Sequence, residues 1–327
     1  MRILFYGTKP YDKIWFEPMA KDYGYEITFV ESACTKNTLK LADGYDAICI
    51  FVNDYVNDKM VDKLYEMGVK AILLRCAGYN NVDIAACEGK LVVLRVPSYS
   101  PEAVAEFAMA LLLTVNRYTH RAYARTRDFN MSINGFMGCD LFGKVAGVIG
   151  TGKIGQAMIR IFQGFSMRIV AYDPYPNPDL PVEYLPLEEV LKQADIVTLH
   201  CPLTEETRYL INKDTIAMMK QGAYLINTSR GDLIDTEALI EGLLERKFSG
   251  VGLDVYEEEE GIFYEDHSND IMPDRTLARL TTFPNVIVTS HMGFFTKEAM
   301  QAIASVTLEN AHAVENGLPL KNQVTHT

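Results

Sequence analysis

The chain has 327 residues, 48% of them hydrophobic and 23% charged, and a net charge of −12. That length predicts two domains rather than one core, and the balance is that of a folded globular protein. The acidic surplus excludes a general nucleic-acid binder, which needs a basic surface to displace counterions, and obliges any anionic ligand to find a specific local cation.

In chain order, strand-like runs come first at Ile3–Tyr6, Ile27–Val30, Ala47–Val52, Ala71–Arg75 and Leu91–Val96, with short amphipathic stretches such as Asn57–Met67 between them. This alternation predicts a small open α/β domain. Ser100–Arg121 opens on a cap residue followed by proline and runs on as AVAEFAMALLLTVN, which predicts a buried helix. A second set of runs follows at Val145–Ile149, Arg168–Tyr172, Ile196–His200, Tyr224–Asn227, Gly250–Asp254 and Val286–Thr289. Six parallel strands with intervening helices are what a dinucleotide-binding sheet requires. A last amphipathic helix is expected over Lys297–Glu315. If it packs on the first domain, the chain carries a Rossmann domain (residues 100–297) inserted into a flavodoxin-like one (residues 1–99 with 298–327).

No run approaches the ~18 apolar residues of a membrane span. The opening MRILFYGTKPYDK lacks the apolar core and cleavage site of a signal peptide. The six cysteines form no CxxC pair and show no metal-ligand spacing, so reduced thiols, a cytoplasmic location, no membrane association and no metal are expected.

After Val145–Ile149 comes Gly150-Thr151-Gly152-Lys153-Ile154-Gly155, opening a helical stretch. Here the first glycine makes the turn, the second admits a pyrophosphate close to the backbone, and the third lets the helix pack on the strand. Asp173, at the end of the next strand, is placed to hold both ribose hydroxyls and to repel the extra phosphate of NADP, which makes NAD the expected cofactor. Arg168 lies at the other end of that strand.

Ligands in open α/β sheets sit beyond the carboxyl ends of the strands. The residues found there are the glycine loop, Asp173, Cys201-Pro202, Thr228-Ser229-Arg230, Asp254 and His291. Reduction of a keto acid needs a cation for the carboxylate and the polarised carbonyl, and a proton donor for the developing alkoxide. Arg230 suits the first task because a guanidinium pairs bidentately and stays charged. His291 suits the second, with Glu259, from the acidic run Glu257–Glu260, favouring its imidazolium form.

Taken together, Gly150–Gly155 with Asp173, Asn227-Thr228-Ser229-Arg230-Gly231, Asp254-Val255-Tyr256-Glu257 with Glu259, and Ser290-His291-Met292-Gly293 resemble the D-isomer-specific 2-hydroxyacid dehydrogenases. The runs Arg75–Asp83, Val96–Glu106 and His200–Thr204 resemble signatures of the same family, and Phe263–Asp270 is similar to its bacterial fermentative D-lactate branch. The resemblance implies that Arg230, Glu259 and His291 are the catalytic residues and that the protein is a dimer, or a multiple of one, formed through the nucleotide domain. It also implies NAD contacts at Lys153, Ile154, Asp173, Cys201, Pro202, Thr207, Thr228, Ser229, Arg230 and Asp254. Arg75, the Ala77–Gly78 backbone and Tyr99 match its substrate pocket, with Phe51 and Phe294 as candidate walls. The leading expectation is NADH-dependent reduction of pyruvate to D-lactate. Larger 2-keto acids such as 2-ketoisocaproate or phenylpyruvate are one alternative substrate class, and a non-catalytic NAD-sensing binding protein is an alternative of another kind.

Overall fold

Runs of apolar residues too short for helices become strands buried on both faces, and a computed structural model describing residues 1–326 shows how they are arranged. The chain forms two units, one comprising Met1–Ser100 and the chain from Phe295 onward, the other Pro101–Phe294.

In the first unit, β1 (Arg2–Phe5), β2 (Glu26–Phe29), β3 (Ala47–Ile50), β4 (Ala71–Leu74) and β5 (Val92–Leu94) form one parallel sheet in the order β2-β1-β3-β4-β5. This is the flavodoxin-like order. The central strands β3 and β4 are buried at every position, which is why they read as AICI and AILL without alternation. Several strands end earlier than the apolar runs suggest, because other partners replace the ladder. The amide of Phe51, for instance, donates to Asp54 Oδ2 at 2.6 Å. The helix Lys297–Glu315, capped by Thr296, packs against the helix Pro10–Tyr23 and strands β4 and β5. Asn310 Nδ2 on that helix donates to the Arg95 carbonyl at 2.9 Å, so this unit is built from two separate stretches of chain.

In the second unit, β6 (Val145–Ile149), β7 (Arg168–Tyr172), β8 (Glu183–Tyr184), β9 (Ile196–Leu199), β10 (Ala223–Asn227), β11 (Phe248–Leu253) and β12 (Val286–Val288) form a seven-stranded parallel sheet ordered β12-β11-β10-β9-β6-β7-β8. Counted from β6, this is the Rossmann order with one strand added at the far edge. The edge strand β8, at the opposite edge from the added strand β12, escapes sequence reading because it is two residues long and its glutamate is exposed. Apolar clusters line both faces of the sheet. Chain order reverses direction between β6 and β9, and the crevice at their carboxyl ends is where such a sheet binds its ligand.

The helix expected over Ser100–Arg121 is two helices, Pro101–Arg117 and Thr119–Arg127, broken at Tyr118, whose φ is +53°. The first packs on β11, where Gly250 and Gly252 let Val115 and Leu111 approach the strand. Beyond the break, Thr119–Arg127 has no buried residue, so no apolar face holds the two helices in line. Among the described residues no helix is long and apolar enough to cross a membrane.

His200, following β9, shares its Nε2 with the Thr198 hydroxyl at 2.9 Å, and its Nδ1 is enclosed without a partner. Burial pushes its pKa down to about 4, so the folded protein holds the ring neutral. The unfolded chain takes up that proton below its ordinary pKa near 6.5, so stability contributed above that pH is lost as pH falls toward 4, at up to about 1.4 kcal/mol per pH unit. The urea midpoint should therefore drop more between pH 7 and pH 5 in the parent protein than in His200→Gln. Equal drops would show that this ring does not carry the acid sensitivity.

Candidate active site

The loop after β6 begins with Gly150 at φ +89°, where a side chain would meet the His200–Cys201 peptide at 2.6–2.8 Å. The first glycine is thus required by the strand across the switch point as well as by the turn. At Gly155 an added Cβ would lie 2.0 Å from the Gly150 carbonyl oxygen, so the helix Lys153–Gly164 can seat on its strand only without one. Gly152 is different. Nothing of the protein lies within 4 Å of where its Cβ would be, and as N-cap it supplies no capping side chain. The first helical amides therefore have no side-chain cap, and the backbone at Gly152 is open to close approach, which suits a pyrophosphate. Lys153 is exposed at this helix start, while Ile154 is half-buried against the core.

Asp173 is held from below. Its Oδ2 accepts from the Thr151 amide at 2.7 Å and hydroxyl at 3.0 Å, and its Oδ1 from the Tyr175 amide at 2.9 Å. Tyr184, on the edge strand that the sequence did not reveal, donates to the Thr151 hydroxyl at 2.9 Å and so braces the carboxylate from behind. A carboxylate has about four acceptor positions, so Oδ1 retains capacity for a sugar hydroxyl. Arg168 is bound to Glu183 at 2.6 Å.

The loops after β9 and β10 are tied together by Ser229 Oγ, which donates to the Cys201 carbonyl at 2.6 Å. Cys201 is buried, and Thr207 Oγ1 donates to the Pro202 carbonyl at 2.7 Å, stiffening that loop. Thr228 Oγ1 is enclosed without a partner, an orphan that a bound cofactor could satisfy. Arg230 follows on the same turn, with Nη1 on the Ser229 carbonyl at 2.6 Å and its own carbonyl accepting from Asn227 Nδ2 at 2.7 Å. The turn packs so tightly on Tyr256-Glu257 that a Cβ on Gly231 would sit 2.1 Å from the Tyr256 carbonyl carbon. Arg230 is thereby seated against the segment that carries Glu259.

That segment is more than a solvated acidic run. Glu257 accepts a hydrogen bond from Tyr209. Glu259 Oε2 accepts from the Tyr256 amide at 3.2 Å, and its Oε1 lies 2.9 Å from His291 Nδ1. His291 rises from the loop after β12, its amide donating to the Asp254 carbonyl at 2.7 Å. The Asp254 carboxylate is 1% exposed and is filled by the Thr289 hydroxyl and the Met292 and Gly293 amides at 2.6–2.9 Å. Asp254, a cofactor contact in the sequence reading, has a side chain that also organises the loop presenting His291.

In the first unit, Arg75 follows β4 and is 4% exposed. Its Nη2 donates to the Gly7 carbonyl at 3.1 Å, its Nε lies 3.8 Å from Asp12 Oδ1, and its guanidinium covers the rings of Phe5 and Phe51. Its Nη1 is buried without a partner. Phe51 thus serves as a platform for Arg75. Ala77 accepts from Arg95 at 2.8 Å and Gly78 from Cys76 Sγ at 3.3 Å. Tyr99 is half-buried near the end of this unit's first stretch, and Phe294, in the other unit, is buried.

The family profile described as "D-isomer specific 2-hydroxyacid dehydrogenase, NAD binding domain" matches residues 109–293. The chain belongs to the D-isomer-specific 2-hydroxyacid dehydrogenase family. It is 47% identical to the D-lactate dehydrogenase of Escherichia coli, over 99% of this chain and all of the relative. The solved apo-structure of D-lactate dehydrogenase from Escherichia coli superposes with a TM-score of 0.92 at 44% identity, covering 99% of this chain and all of that one. The solved pyruvate reductase of Chlamydomonas reinhardtii gives 0.93 at 43% identity, covering 98% of each chain. This dehydrogenase is accordingly an oxidoreductase with NAD as cofactor.

Sequence reading assigned no role to Thr151, Tyr184, Thr289 or Tyr264, whose hydroxyls bond to Asp173, Thr151, Asp254 and the His291 carbonyl. Such residues have no spacing signal of their own. Filling the open space at Gly152 supplies a direct test. Gly152→Val should weaken NADH binding, read by fluorescence titration, by about tenfold or more, while thermal stability stays at the parent value. Undiminished binding would show that no phosphate approaches that backbone.

Proposed function

We propose that this dehydrogenase reduces pyruvate to D-lactate, with His291 as the proton donor, Glu259 as its partner and Arg230 as the grip on the acid. The 2.9 Å contact of His291 Nδ1 with Glu259 Oε1 carries the reading. A carboxylate only accepts, so Nδ1 bears the hydrogen and Nε2 is left to exchange a proton with the substrate oxygen. Glu259 thus fixes the tautomer of the ring through that bond. The Arg230 guanidinium, fixed by its turn, binds the carboxylate and polarises the carbonyl oxygen.

When bound, NADH supplies the hydride that reaches the carbonyl carbon. Its site is assigned to Gly150, Gly152, Lys153, Ile154, Gly155, Asp173, Cys201, Pro202, Thr207, Thr228, Ser229, Arg230 and Asp254, Asp173 selecting against a 2′-phosphate. The substrate pocket is assigned to Arg75, Ala77, Gly78, Tyr99, Phe51 and Phe294, and the unpartnered Nη1 of Arg75 offers a further donor to an anionic ligand. The relatives named for D-lactate dehydrogenase and pyruvate reductase activity support pyruvate over larger acids. A cytoplasmic location fits a chain in which no disulfide joins described cysteines.

We further propose a homodimer formed through the second unit. Between the helix Thr119–Arg127 and β6, Phe129, Ile133, Met137 and Phe142 are 78–92% exposed. The segment is nevertheless ordered, for Arg125 donates to the Ser132 and Asn134 carbonyls and lies 3.8 Å from the Phe136 ring centre. A preformed apolar display of this kind marks an association surface.

Steady-state efficiency across keto acids of rising size, with NADH and NADPH, tests the substrate assignment. Pyruvate with NADH should rank first, and a higher rank for 2-ketoisocaproate or phenylpyruvate would overturn it. His291→Gln should lower kcat by about 10²–10⁴-fold with NADH binding retained, and parent turnover would end the acid–base assignment. Ile133→Asp combined with Met137→Asp should convert a species of twice the chain mass into one of the chain mass in sedimentation. An unchanged mass would place the interface elsewhere.

A further inference from the structure

Tyr264 meets His291 in two ways. Its hydroxyl donates to the His291 backbone carbonyl at 2.8 Å, and its ring lies alongside the imidazole, centroids 6.3 Å apart and planes inclined by 29°. The backbone that receives this bond is unusual. His291 has φ +51°, in the left-handed region, which a residue with a Cβ occupies only where its surroundings enforce it.

The enforcement comes from both sides of the residue. The His291 amide is tied to the Asp254 carbonyl at 2.7 Å, and its carbonyl is tied to Tyr264. The segment that brings Tyr264 here also brings Glu259. The amides of Ile262 and Phe263 both donate to the Glu259 carbonyl, at 3.2 and 3.0 Å, winding one tight turn after the glutamate. Phe263 anchors that turn in the core, and Tyr264, itself at φ +69°, reverses the chain toward His291. One turn therefore grips the histidine at two points, Glu259 at the ring nitrogen and Tyr264 at the main chain.

We propose that Tyr264 is a positioning residue of the hydride-transfer site. By holding the His291 carbonyl, it keeps the imidazole in the orientation that pairs Nδ1 with Glu259 and presents Nε2 to the acid. The proposal rests on the reading of His291 as the acid–base group, and the experiment separates the two.

Pyruvate reduction is measured for the full-length enzyme and for Tyr264→Phe, which loses the hydroxyl and keeps the ring. The kcat should fall about tenfold, within the reach of one lost hydrogen bond, while the NADH dissociation constant and the KM for pyruvate change less than about twofold. In a His291→Gln background the same substitution should cost nothing further, since no proton donor remains to be oriented. A Tyr264→Phe enzyme with parent kcat, or an equal fractional loss in both backgrounds, overturns the proposal. If His291→Gln is inactive while Tyr264→Phe is unimpaired, the positioning role alone falls. If His291→Gln turns over at the parent rate, the acid–base reading falls and takes this one with it.

Discussion

The carboxylate of Asp254 is the constraint on which the candidate site of the second unit depends. It sits at the carboxyl end of β11, almost wholly buried, and gathers a hydroxyl and two amides from the loop after β12 while its own carbonyl takes the His291 amide. Burial pushes its pKa above the usual carboxylate range, against the pull of those hydrogen bonds and of His291. A buried carboxylate is tolerable only with its acceptor positions filled, so the loop closes around it. Gly293 shows how close that closure is, for an added Cβ would stand 2.9 Å from Asp254 Oδ2.

The first unit uses a related device. Arg75 lies among Asp12, Asp54, Phe5 and Phe51 at the carboxyl end of its sheet. Burial raises the pKa of both aspartates, and the guanidinium pulls each back down. Asp54 spends its oxygens on the Cys34 and Phe51 amides, Asp12 one of its own on the Lys9 amide. The cation is thus fixed by charge and by aromatic faces at once, with one nitrogen left unpartnered.

Hydride transfer asks little of the protein beyond placement, and placement is where the chain spends its buried polar groups. The glycine loop is shaped by what cannot fit at Gly150 and Gly155 and by what is left open at Gly152. Asp173 is braced through Thr151 by Tyr184, and Glu259 is braced by the Tyr256 amide. Asp173 and Glu259 are thus each oriented by groups assigned to neither cofactor nor acid.

Two sheets, their strand-and-helix alternation and the glycine loop were legible in the residues, because burial on both faces writes continuous apolar runs and the phosphate turn needs glycine at fixed steps. The residue types at strand ends were legible too, Arg230 and His291 among them, since those positions follow directly from where the apolar runs stop, whereas Glu259 stood out only as a member of the acidic run Glu257–Glu260. Hidden were the break at Tyr118, the edge strand at Glu183–Tyr184, and the hydroxyls of Thr151, Thr289 and Tyr264. Each depends on a partner far along the chain or on a single left-handed residue, and neither leaves a period in the sequence. Local order of apolar residues determines which segments exist. Only the folded chain decides which lone hydroxyl or carboxylate ends up beneath a reactive side chain, because that contact is made across tens of residues by backbone groups that every residue carries.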